Sequence, residues 1–110
     1  MTSLLNVLSR ILPTYPPDVP QGTRAPYAVY ARRETPVRTK DGIAGYDGTV
    51  TISIYAASRK MVDDLAEQIV SALDNQTIGD ADYYYENSDE GEDFSDIGLD
   101  TKTLTFSTIR

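Results

Sequence analysis

Cysteine, histidine and tryptophan are all missing from these 110 residues. Without cysteine there is no disulfide framework, no thiolate metal site and no sulfur nucleophile, and redox chemistry gives no clue to the compartment. Without histidine the usual general base and the commonest metal ligand are gone as well. An enzyme would have to work through Asp, Glu, Tyr, Ser or Lys, and no nucleophile and base stand at a telling spacing, so the expectation is no catalysis and no cofactor. Long apolar runs are scarce too. The N-terminal "MTSLLNVLSRILPTYPP" has no basic leader and no small-residue cleavage site, and no stretch nears the roughly 20 apolar residues that span a bilayer, which predicts a soluble, non-secreted protein.

What is present fits one domain. With 40% hydrophobic and 25% charged residues the chain is of ordinary globular composition, and its length supports a single core with a radius of gyration of about 13 Å. Leu4, Leu5, Val7, Leu8, Ile11 and Leu12 recur at helical spacing behind Thr2 or Ser3 as N-cap, and Pro13 stops the run. Only Arg10 is cationic on the polar side, so the apolar stripe belongs against a core rather than a membrane surface. The proline-rich "TYPPDVPQGTRAP" is an extended connector.

"YAVYARR" alternates as a strand with one buried face, and "TVTISIYA" does so more clearly, with Val50, Ile52, Ile54 and Ala56 opposite Thr49, Thr51, Ser53 and Tyr55. In "SRKMVDDLAEQIVSALDN" the pairs Met61/Val62 and Leu65/Ala66, then Ile69 and Leu73, form one stripe. That predicts a core helix over 59–74, capped by Ser58 and ended near Asn75. "ADYYYEN" reads as a third strand, "SDEGEDFSDIGLD" as an acidic loop, and "TKTLTFSTI" as a last strand with Leu104 and Phe106 inward. Helix, strand, strand, helix, strand, strand predicts an α+β fold of two layers: a mainly antiparallel four-stranded sheet with two helices packed on one face. It forms a single domain, 1–110, in which 34–48 is a flexible inter-strand arm.

Charge is unevenly distributed within the net −7. Residues 1–48 carry six basic and four acidic side chains, whereas 49–110 carry four basic and thirteen acidic ones. The basic cluster Arg32, Arg33, Arg38 and Lys40 runs straight into the glycine-bearing "DGIAGYDG". Residues 86–100 contain no lysine or arginine, but they lack the D-x-[DN]-x-[DN]-G spacing of a calcium loop and read as a solvated segment. The acidic field disfavours specific binding of nucleic acid. Asp63 and Asp64 point about 100° apart on a helix, so adjacency alone does not make them a catalytic pair, and structural roles are expected. Tyr84 should face away from Tyr83 and Tyr85.

Three stretches carry a resemblance: "VPQGTRAPYAVYARR", the polar insert "TKDG", and "VTISIYAASRKMVDDLAEQIVSALDN". Over residues 12–110 the chain resembles the small tail completion, or tail terminator, proteins of long-tailed bacteriophages and prophages. The resemblance implies a subunit with a sheet backed by helices, which forms a ring, a hexamer, at the head-proximal end of the tail tube. It implies three partners, namely copies of itself, the tail tube protein and a head-neck connector protein, and it implies neither chemistry nor a membrane. The place of action is the virion tail, reached from the bacterial host cytoplasm where assembly occurs.

In such a ring Arg32, Arg33, Arg38 and Lys40 are expected against acidic surface of the adjoining subunit or of a tail protein. The acidic loop with Asp89, Glu90, Glu92, Asp93 and Asp96 could line the lumen and let DNA pass without adhering. The alternatives are a neck adaptor joining head to tail and, from another class, an acidic DNA mimic.

Overall fold

The computed structural model describes residues 3–16, 25–92 and 100–110. In chain order the elements are α1 (Leu4–Ser9), β1 (Thr14–Tyr15), β2 (Tyr27–Thr39), β3 (Gly42–Ala56), α2 (Arg59–Leu73), β4 (Gln76–Ile78), β5 (Ala81–Glu92) and β6 (Asp100–Ile109). The six strands form one sheet in the order β1-β2-β3-β6-β5-β4. Only the β1–β2 pair is parallel.

Both helices start as the sequence predicts. The Ser3 hydroxyl accepts from the Asn6 amide at 3.2 Å, and Ser58 does the same for Met61 at 3.2 Å, satisfying amides that the helix leaves free. Asn75, with φ 61°, ends α2 in the left-handed conformation that asparagine tolerates. Of the predicted stripe, Val62, Ala66, Ile69 and Leu73 are buried and Leu65 packs at their margin, whereas Met61 lies on the outer side.

The core forms where the alternating strands meet these stripes. Register sets Ala28 beside Ile54, Val50 beside Phe106 and Ile52 beside Leu104, all on the face that receives α1 and α2. Leu4, Leu8 and Leu12 close one end of the same cluster. Tyr83, almost wholly buried, extends it onto β5, and Phe106 meets the Tyr85 ring edge-on at 5.5 Å. The opposite face of the sheet carries Thr49, Thr51, Ser53, Thr103, Thr105 and Ser107, and no described element covers it. Tyr27 and Tyr55 stack there at 5.0 Å. Tyr84 also points to this side and is exposed, as predicted.

Three features depart from expectation. The sheet has six strands rather than four, because β1 and β4 are short edge strands whose pairing is set by tertiary contact. The acidic stretch is not a loop through to residue 100: β5 continues to Glu92. It does so because Glu90 lies opposite Lys102, with a carboxylate–ammonium distance of 3.6 Å, and Asp89 lies opposite Thr103, so β6 supplies no like charge to repel them. Glu86 is the extra residue of a bulge in this ladder.

The third departure is residues 34–48, predicted as a flexible arm and found as the continuation of the β2–β3 ladder through a turn at Lys40–Asp41. Its glycines have specific roles. Gly42, at φ +117°, makes the turn, and a Cβ on Gly48 would sit 2.5 Å from the Thr108 hydroxyl and 2.8 Å from the Arg33 carbonyl oxygen. Beyond Tyr46, which exchanges backbone bonds with Arg110, no neighbouring strand among the described residues supports the hairpin. The molecule measures 52 × 25 × 23 Å with a radius of gyration of 15.0 Å, above the value for a compact chain of this length.

Two substitutions test this account by chemical denaturation. Phe106→Ala, at the fully buried centre, is expected to cost about 3–5 kcal/mol. Gly48→Ala is expected to cost roughly 1–3 kcal/mol, because backbone has to move to admit the methyl group. A neutral Gly48→Ala would mean that the close approach is not real.

A candidate assembly surface at the hairpin and the acidic flank

The hairpin is fixed at its base and free at its tip. Arg110 bonds Glu34 through Nε, reaches Asp80 at 3.3 Å through Nη1, and lies over the Tyr46 ring at 4.3 Å from its centroid. Hydrogen bonding to Glu34, reinforced by the charges of Glu34 and Asp80, raises the guanidinium above its ordinary value. This clasp ties β2, β3 and the turn before β5 together where the ladder leaves the sheet.

The four basic residues do not form one patch. Arg32 lies on the helix side and, though exposed, donates to the Tyr83 hydroxyl at 2.6 Å, which ties β2 to β5. Arg33 is exposed on the opposite face, beside a cleft lined by Ala31, Thr49 and Thr51. Arg38 and Lys40 are exposed at the tip, and among the described residues neither has an ion-pair partner. Two exposed apolar residues accompany them at the tip, Val37 (39%) and Ile43 (50%). Sequence reading passed over this pair because neither belongs to an alternating or helical stripe.

The acidic residues also divide. Asp89 is exposed on the uncovered face, whereas Glu90 is on the helix side with Lys102. The side chain of Glu92, and Asp93 and Asp96 altogether, lie outside the described residues. Asp63 pairs with Lys102 at 3.3 Å. Between α2 and the β5–β6 ladder there is a cleft of about 570 Å³, floored by Ala66, Val70, Tyr85 and Leu104 and rimmed by Asp63 and Glu67. It adjoins the stretch of β5 past Tyr83 that β4 no longer covers. Sequence reading missed this cleft as well, since it arises from packing. The described residues contain no cluster of three or more potential metal ligands, and no helix among them is long and apolar enough to cross a membrane.

Over residues 2–92, which take in every element but β6, the chain matches the family model described as "Tail completion protein gp17". The chain belongs to that family. It is therefore a structural protein of a phage tail, as the motif resemblance implied. Among solved structures it is similar to a chain of the "Virion of native gene transfer agent (GTA) particle", with a TM-score of 0.70 at 17% identity over 94% of this chain and 83% of that one. At that identity the likeness shows a shared fold. No curated protein matches.

The clasp predicts a local effect. In Arg110→Ala the amide hydrogens of residues 37–45 should exchange faster while those of β6 near Leu104 stay protected, as read by hydrogen exchange; equal protection in the two proteins would show that Arg110 does not hold the hairpin base.

Proposed function

We propose that this protein forms a ring on the head-proximal end of the tail tube, stopping tube growth and presenting a surface to the head-neck connector. The observation that carries this reading is the hairpin that outruns its own sheet, joined to family membership. A lone subunit has no use for a ribbon with exposed Val37 and Ile43 at its tip, whereas a subunit that must grip a neighbour does. The two flanks of the sheet are unlike, one bearing the hairpin and the other the acidic strand β5, and unlike flanks that meet head to tail close into a ring when the rotation between subunits completes a circle. A hexamer is the ring we favour.

The uncovered face suits a bore. Its hydroxyls are neutral, and Asp82, Glu86 and Asp89 stand on its β5 side, so a DNA polymer passing over it would be repelled rather than held. Arg33 at the far edge is the cation to be covered by a neighbour. A DNA mimic is less well supported, because the carboxylates are shared between two faces and Glu90 and Asp63 are already engaged with Lys102.

Electron micrographs of the purified protein mixed with tail tubes free of heads supply the test. Rings, and caps on one end of each tube, are expected. Binding only when heads are present would point to a neck adaptor instead, and a protein that stays monomeric at high concentration and leaves tube ends bare would end the reading.

A further inference from the structure

The ring reading leaves open what joins one subunit to the next, and the inference here rests on that reading. We propose that the tip of the β2–β3 hairpin of one copy inserts into the cleft between α2 and β5 of the next. The tip exposes two apolar side chains, Ile43 directly across from Arg38 and Val37 on the other face of the ribbon, beside two cations, Arg38 and Lys40, without ionic partners among the described residues. The cleft has the converse arrangement: an apolar floor including Val70 and Tyr85, and a rim on which Glu67 is exposed and without an ionic partner among the described residues. Lys102 at the cleft is already shared between Asp63 at 3.3 Å and Glu90 at 3.6 Å, so the local charge stays negative.

Size and placement agree. The unsupported part of the hairpin, residues 37–45, extends about 13 Å at roughly 3.3 Å per residue along each limb. A cleft of about 570 Å³ accommodates a few side chains rather than a whole strand, which suits a ribbon tip. Hairpin and cleft also lie toward opposite flanks of the sheet, since β2 and β5 are separated by β3 and β6. A copy therefore cannot satisfy its own tip, and the contact passes from each subunit to the next.

Pairing of the outer edges of β2 and β5 into a continuous sheet is the less suitable mode of contact. Pro36 removes one donor from the β2 edge, and Ala44 and Glu86 put bulges in the hairpin and in the β5–β6 ladder. Side chains rather than backbone then carry the recognition, with charge steering the encounter and Val37 and Ile43 desolvating on arrival.

Charge reversal on both sides of the contact tests this. Arg38→Glu/Lys40→Glu and Asp63→Lys/Glu67→Lys are each expected to raise the protein concentration needed for ring formation by at least roughly tenfold at moderate salt, read by sedimentation velocity. All four changes lie at exposed or half-exposed positions, and circular dichroism with a thermal scan confirms folding. Combining them in one chain, or mixing the two double variants, should restore rings.

Val37→Ser/Ile43→Ser should weaken assembly with little dependence on salt. Wild-type rings accompanied by normal rings from both charge variants would overturn the hairpin-in-cleft contact and leave the ring reading standing. Tip variants that still form rings but no longer cap tubes would show that the tip grips the tube protein, which also overturns it. A wild-type protein that forms no rings at all removes both.

Discussion

The constraint on which this structure depends is the unequal pairing of β3. On one side it is bonded to β2 from Gly42 to Tyr55, and on the other to β6 only from Asp47 to Ala56. The shared portion, with Val50, Ile52 and Ile54 against Leu104, Phe106 and the α2 stripe, supplies the buried apolar surface that holds the domain together. Among the described residues no strand beyond β2 lies beside the unshared portion. One strand thus serves as the centre of the core and as the stem of a projection, and the Arg110 clasp marks where one duty gives way to the other.

Much of the core was legible because its signals are local. Alternation in "TVTISIYA" and "TKTLTFSTI" assigned the correct faces of β3 and β6, and the spacing of Val62, Ala66, Ile69 and Leu73 placed α2 to within a residue of its end. The serine caps at Ser3 and Ser58 follow from side-chain chemistry alone. The fold class came from element order, and the family from three motif-bearing stretches.

What was not legible is what depends on partners across the sheet. Thr14–Tyr15 and Gln76–Ile78 are too short to show a period, and they are strands only because β2 and β5 lie beside them. Three glycines among polar residues read as looseness, yet Gly48 is there because Thr108 and the Arg33 carbonyl leave no room for a side chain. A run of carboxylates read as loop, yet Lys102 lies directly across from Glu90. Four cations in nine residues read as one patch, but the pleat sends Arg32 and Arg33 to opposite faces, and Tyr83 takes the first of them. In each case composition was correctly noticed and the three-dimensional neighbour that explains it lay far away in sequence.

The bulge at Val37/Arg38 gives the projection its direction. One additional residue, Ala44, increases the local twist and bends the ribbon just before its tip. If successive subunits meet through that tip, the bend helps set the angle between neighbours, and in a ring those angles have to add up to a full circle. A single inserted alanine would then act as a protractor for the whole assembly, fixing its circumference without touching the core.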